Sequence, residues 1–117
     1  MQLFNFEKET GQKVTHFDSN FMMTKIAKLD SPAQIGCMHL GEGGLIGYHQ
    51  AAVPQLLLIV EGEGWVRTED EKCSIKKGDA VFWEKGEWHE TGTDNGLTAI
   101  VIESEGLNPE EFMVKKR

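Results

Sequence analysis

Two histidines and one glutamine are the residues of this chain whose types and spacing could do chemistry. His49 and Gln55 flank the start of an apolar run, and His89 follows the segment VFWEKGEW further along the chain. A neutral imidazole is a good ligand for divalent transition metals, whereas an amide oxygen is a weak and uncharged one. The same three side chains could instead hydrogen-bond a small molecule without a metal, so their types leave both kinds of site open.

Other polar and aromatic residues are weaker candidates for such a site. Tryptophan in a small β-protein mostly fills the core or an interface, so we expect this of Trp65, Trp83 and Trp88. Trp83 has the best case for contacting a ligand, because it lies on the run that leads to His89. Glu103 ends the last apolar run, where a charged strand end is the simpler interpretation and an inward carboxylate the alternative.

The elements that must position these residues are short runs of strand length. None of the runs is long or periodic enough for a globular helix, and glycine-containing turns such as Gly62-Glu63-Gly64 separate them. The pattern predicts an all-β sandwich or barrel. The runs read FMMTKIAKL, AQIGCMHL, QLLLIV, GWVRT, KCSIK, AVFW and LTAIVIE.

The C-terminal segment departs from this pattern. Asn108 could cap a helix, Pro109 suits its first position, and Lys115-Lys116-Arg117 would suit its last turn. The sequence therefore predicts one short C-terminal helix with a solvated basic end.

The run QLLLIV is apolar on both faces of a strand. Gln55, Leu57 and Ile59 point one way, while Leu56, Leu58 and Val60 point the other. If the alternation continues through Val53, then His49, Ala51 and Gln55 share the inward face. The outward residues need cover, and we expect a second subunit to supply it in a homodimer.

The composition of the chain limits the classes of function that it can have. The chain has 117 residues and a formal net charge of −7, which suits one domain over residues 1–117 and disfavours nucleic acid as a partner. Its apolar runs are too short for a membrane helix and its N-terminus does not resemble a secretory signal, so we expect a cytoplasmic protein with no membrane partner. Cys37 and Cys73 fit no metal or redox spacing and are expected to be free thiols.

Two stretches of the chain resemble the two sequence motifs of the cupin superfamily. The spacing is kept at nearly every motif position from residue 43 to 62 and from residue 78 to 93. The first motif falls on Gly43 or Gly44, His49, Ala51, Gln55 and Gly62, and the second on Gly78, Glu84, Gly86, His89 and Thr93.

The resemblance implies a jelly-roll barrel of the small single-domain type, which usually forms dimers. It also implies a ligand role for His49 and His89, although Ala51 and Gln55 stand where the family has a second histidine and a carboxylate. Two functions follow. One is a metal-dependent enzyme of dioxygenase or isomerase type that uses His49, Gln55, His89 and a divalent transition metal (Zn, Fe, Mn or Ni). The alternative is a non-catalytic ligand-binding or sensor domain without metal. In both cases we expect Ala51, Leu57 and Trp83 to line the pocket.

Overall fold

A computed structural model describes residues 1–116 as β-strands joined by turns, and Arg117 lies outside the described residues. The only helical segments in this range are short 3-10 turns, so the all-β prediction is confirmed. The strands are β1 (Gln2–Asn5), β2 (Gln12–Val14), β3 (Phe21–Met23), β4 (Gln34–Leu40), β5 (Leu45–Gln50), β6 (Gln55–Arg67), β7 (Lys72–Lys76), β8 (Asp79–Trp83), β9 (Trp88–Gly92), β10 (Leu97–Glu103) and β11 (Val114–Lys115).

Two antiparallel layers share the long strand β6. The first layer has the order β11-β1-β8-β6-β10-β4. The second is made by β5, β9, the C-terminal half of β6, and β7. Because β6 bends from one layer into the other, the layers enclose a common core, and the fold is the expected jelly roll.

The segment Gly62-Glu63-Gly64 bends β6 and is not the predicted turn. Val60 has no partner in β10, since Thr98 pairs with Glu61 and Ala99 with Ile59, so the strand bulges at this point. Gly62 has a φ of +81°, and a Cβ on Gly64 would collide with the carbonyl oxygen of Gly92. The glycines therefore let one strand change layers while its pairing continues.

Both faces of the central strands of the first layer are covered by this chain. The inner cluster comprises Leu57, Ile59, Val66, Ile75, Val81, Trp83, Leu97, Ala99 and Val101. On the outer face, Leu56 and Leu58 are buried against the segment that carries Ile26, Ala27 and Leu29, and against Leu107 and Met113. The expectation that a second subunit must cover Leu56 and Leu58 is therefore wrong, and of that outward set only Val60 is exposed.

The predicted C-terminal helix does not form as an α-helix. A single 3-10 turn spans Pro109–Glu111 without a side-chain cap from Asn108, and the chain then pairs with β1 as strand β11. A segment this short cannot offset the cost of helix nucleation, whereas strand pairing allows Met113 to be buried. Lys116 is not simply solvated, because its Nζ lies 2.9 Å from Oδ1 of the fully buried Asp79.

The run FMMTKIAKL is a strand only at Phe21–Met23. There β3 pairs with β2 in a separate two-stranded sheet, which we call the arm (residues 12–23). The following residues are irregular and carry the apolar side chains that cover the outer face of the first layer. No helix within residues 1–116 is long and apolar enough to cross a bilayer.

Candidate functional site

His49 and His89 lie directly opposite each other on β5 and β9. The pairing shifts between Ile46 and His49, so a bulge sets the register that aligns the two histidines. Their ring centroids are 4.4 Å apart and the ring planes are inclined at 58°. Residues directly opposite in an antiparallel pair point to the same side, so the two imidazoles lie side by side on one face of the strand pair.

Hydrogen bonds select the same tautomer in both histidines. Nδ1 of His49 lies 2.7 Å from the carbonyl oxygen of Gly47, and Nδ1 of His89 lies 3.1 Å from that of Glu87. A carbonyl can only accept, so each Nδ1 carries the proton and donates it. In the neutral form, Nε2 of each ring therefore bears the free lone pair, which suits it to accept a hydrogen bond or to ligate a metal.

The indole of Trp83 covers His89. The two rings stack with centroids 4.1 Å apart and planes 17° from parallel, and His89 is only 2% exposed. Burial disfavours the imidazolium and lowers the pKa of His89 below its ordinary value, although the carbonyl of Glu87 opposes the shift. His89 is therefore held neutral at neutral pH. The buried Nε1 of Trp83 has no hydrogen-bond partner within residues 1–116.

Gln55 belongs to a polar layer at the same end of the barrel. It pairs with Trp83 of β8 on one side and with Glu103 of β10 on the other, so the three side chains point to the inner face. Gln55 is buried and Glu103 partly buried. Glu103 is the last residue of β10, as the simpler interpretation predicted, and its alternation with the buried Val101 also turns its side chain to the inner face.

Ala51 and Leu57 complete the set of residues predicted for the pocket. Both are buried, and Leu57 lies one layer below Gln55 in the inner cluster with Trp83. Ala51 donates its backbone N–H to Glu87 and accepts from Gly86, at 2.9 and 2.8 Å. These bonds tie the chain after His49 to the corner before His89, where Gly86 has a φ of +91°.

The donor set available to a metal is small. Within residues 1–116 no group of three or more His, Cys, Asp or Glu side chains is close enough to hold an ion together. The methyl group of Ala51 offers no donor atom, so the motif positions supply two imidazole nitrogens and the uncharged amide of Gln55, and Glu103 beside Gln55 is the carboxylate at this end of the barrel. Such a set fits a weakly held divalent transition metal that takes further ligands from water or a bound molecule.

The remaining candidates lie away from the two histidines. Trp88 points to the opposite side of β9 from His89, where it is exposed and stacks on Tyr48. Trp65 packs on Gly92 beneath the ammonium of Lys72. His39 is exposed on the outward side of β4, and His16 is exposed in the arm. Cys37 and Cys73 are both free, as predicted.

Comparisons with known proteins agree with this architecture. The family model described as "Cupin domain" matches residues 36–103, which is more than half of the chain. A gentisate 1,2-dioxygenase from Ralstonia is 36% identical over 56 residues, which cover 47% of this chain but only 16% of that protein.

Two solved structures share the fold with TM-scores of 0.60. One is a cupin superfamily protein from Desulfitobacterium hafniense, 19% identical over 67% of this chain and 71% of its own. The other is the DMSP lyase of Ruegeria pomeroyi, 26% identical over 68% of this chain and 41% of its own. The named activities belong to those proteins.

Proposed function

The chain belongs to the cupin domain family, and we propose that it binds a small molecule at the polar end of its barrel through His49, Gln55 and His89. The observation that carries this proposal is the adjacency of the two imidazoles on one face of a strand pair, each with Nδ1 bonded to a carbonyl so that Nε2 bears the lone pair. Gln55 adds an amide that can both donate and accept. Below these groups the interior of the barrel is filled by the inner apolar cluster.

A metal-dependent enzyme of dioxygenase or isomerase type is the second candidate. It is supported by the shared tautomer, since both histidines present Nε2 lone pairs on the same side of a strand pair. Bound there, a Zn, Fe, Mn or Ni ion would supply Lewis acidity or, for a redox metal, a site for dioxygen. In either case His89, held neutral by burial, is ready to ligate or to accept a proton at Nε2.

The environment of the site supports the metal-free version as the first choice. Among the described residues no carboxylate gathers with both histidines into a group that could hold a metal, so a cation bound by the two imidazoles would lack an anionic ligand from the chain. The proposal includes a cytoplasmic location, a homodimer and no nucleic-acid or membrane partner. The short match to the dioxygenase gives no substrate, because it covers only 16% of that protein.

A thermal-shift screen of small carboxylates, phenols and sugars tests the binding proposal. We expect hits with the natural chain that are lost in a His49→Leu, His89→Leu double variant, because the leucine side chain offers no hydrogen-bonding atom. Trp88→Phe is the matched control, since Trp88 points away from the site, and it should keep the hits. Hits that persist in the double variant would place binding elsewhere and refute the proposal.

Introducing metal-binding side chains at positions 51 and 55 distinguishes the metal-dependent function from the metal-free one. Untagged protein is titrated with Zn²⁺, Mn²⁺ and Ni²⁺, and the stabilisation by each ion is compared with that of Ala51→His and Gln55→Glu variants. If the metal-dependent candidate is correct, each variant should bind the ions more tightly, and Gln55→Glu should do so by adding an anionic ligand. No stabilisation in any of the three proteins would exclude the metal-dependent candidate.

A further inference from the structure

An aromatic residue stands directly before each histidine of the candidate site. The two dipeptides are Tyr48-His49 on β5 and Trp88-His89 on β9. Neighbouring residues of a strand point to opposite faces, so the two aromatic rings lie on the outer side of the strand pair that carries the histidines on its inner side. There the rings stack, with centroids 5.5 Å apart and planes 25° from parallel. The pair of imidazoles therefore has an aromatic pair behind it.

Two charged residues extend the contact made by the aromatic pair. Cζ of Arg67 lies 4.5 Å from the ring centroid of Tyr48, within the range of a cation–π contact. Nε of Arg67 donates to Oε1 of Glu90 over 2.6 Å, and the two residues also stand opposite each other on β6 and β9. We call Tyr48, Trp88, Arg67 and Glu90 the outer clamp. Through these side chains β5 is connected to the long strand β6, with which it does not pair.

The outer clamp lies at the bulge of β5, where Gly47 and Tyr48 together stand opposite Glu90 alone. Relative to β9, β5 thus accommodates one extra residue at this point. Backbone hydrogen bonds anchor the pairing of the two strands beyond each end of the bulge, from the N–H of Thr93 to Gly44 and from the N–H of Ala51 to Glu87. The anchors require a bulge between them, but they do not fix its position.

The position of the bulge decides which residue of β5 faces His89. If the pairing of Ile46 with Thr91 continued without interruption, Tyr48 would stand opposite His89 and point inward in place of His49. The bulge would then follow Tyr48, and the hydrogen bonds that anchor β5 at both ends would be kept. Backbone pairing therefore allows both arrangements, and side chains must favour one of them.

We propose that the outer clamp stabilises the observed position of the bulge and thereby positions His49 opposite His89. In the alternative arrangement the ring of Tyr48 would leave both Trp88 and Arg67 and enter the inner face. Aromatic stacking and a cation–π contact each favour one conformation over another by roughly 2- to 10-fold. Among the described strands β5 pairs with β9 alone, so no second neighbouring strand fixes its register. The residues of the outer clamp are positioning residues, because they act on the site through β5.

This proposal deepens the proposed function and rests on it in one respect, which is that His49 and His89 form one site. The position of His49 can nevertheless be measured in the free protein, without any ligand. A ligand screen that gives no hits would count against the proposed function and would leave this measurement unaffected.

NMR contacts between side-chain protons distinguish the two arrangements. The natural chain should show a nuclear Overhauser effect between His49 and His89, whose ring centroids are 4.4 Å apart. Tyr48→Leu removes the stack and the cation–π contact, so this effect should weaken at least several-fold, and a contact between the new leucine and His89 should appear. The contact between Trp83 and His89 should persist, because the stacked rings belong to β8 and β9 and not to β5.

Further variants show whether the stacked rings are the cause. Trp88→Leu removes the same stack from the side of β9 and should reproduce the loss, whereas Tyr48→Phe and Trp88→Phe keep stacking rings and should behave like the natural chain. Trp65→Leu is the matched control, since Trp65 lies on the same outer side with the ammonium of Lys72 over its ring but outside the outer clamp.

Three results would each overturn the proposal. The first is an undiminished contact between His49 and His89 in both leucine variants of the outer clamp. The second is an equal loss of that contact in Trp65→Leu or in the phenylalanine variants. The third is loss of the contact between Trp83 and His89 as well in both leucine variants, which would show a general structural role of the rings.

Discussion

His49 and His89 face each other across one strand pair and make the same local hydrogen bond, yet their surroundings differ. Among the described strands β5 is an edge strand that pairs with β9 alone, while β9 lies between β5 and β6. His89 is therefore buried beneath Trp83, and His49 remains exposed. The position of each strand within the sheet, and not the local sequence, therefore decides that His89 is buried and neutral while His49 is accessible.

Removing the cover over His89 should have the largest effect. Trp83→Ala leaves a cavity in the inner cluster, and we expect a loss of about 3–5 kcal/mol in the free energy of unfolding. Urea denaturation measures the loss. Trp83→Phe keeps an aromatic ring on His89 and removes the buried N–H that has no partner, so it should cost much less. Equal losses in the two variants would contradict the role assigned to the stacked ring.

Truncating the two histidines separately should give unequal losses of stability. His89→Ala removes a buried ring and should cost about 1–3 kcal/mol, whereas His49→Ala removes an exposed one and should stay within about 0.5 kcal/mol. The same denaturation measurement compares them. Equal losses of stability would show that the burial of His89 beneath Trp83 does not stabilise the fold more than the exposed His49 does.

The pH dependence of the free energy of unfolding should show the smallest of these effects, and we expect it to arise from His89. Burial lowers the pKa of His89 in the folded state, so below the unfolded value of about 6.5 the unfolded chain binds a proton that the folded chain excludes. Stability should therefore be complete above about pH 6.5 and fall as the pH drops from there towards the folded pKa. The slope should stay below about 1.4 kcal/mol per pH unit, the limit for one proton.

Urea midpoints measured through this pH range provide the test. In His89→Gln the urea midpoint should fall less steeply just below pH 6.5, because the buried titrating group has been removed. His49→Gln is the matched control and should keep most of this fall, because burial is the main cause of the lowered pKa of His89 and the charge of His49 a smaller one. A fall that is unchanged in His89→Gln would assign the pH dependence to another group.

The sequence could predict the site as a set of inward residues because strand alternation and the motif spacing depend on local geometry. Gln55 and Leu57 alternate with Leu56 and Leu58, and this determined which side chains face the core. The approach of His49 to His89 could be expected only from the resemblance to a family, since the two residues belong to strands far apart along the chain. Glu103 was correctly expected at a strand end, and strand pairing rather than residue type turned its side chain to the inner face.

The errors occurred where segments compete for the same surface. The outer face of Leu56 and Leu58 could be covered by another subunit or by this chain, and only the folded chain shows that Ile26, Leu29 and Met113 occupy it. The C-terminal segment has helix signals at Asn108 and Pro109. It becomes a strand because β1 offers an unpaired edge, a gain that no local pattern reveals.

The sequence by itself determined the all-β class, the inward alternation of β6 and the two histidines at motif positions, since these depend on residue type and short-range spacing. Tertiary structure decided that β6 continues through its glycines, that Trp83 rather than Trp65 or Trp88 covers a histidine, and that His89 is buried while His49 is exposed. These features depend on which strands become neighbours. That choice is made by the burial of apolar surface over the whole chain, which is a non-local quantity.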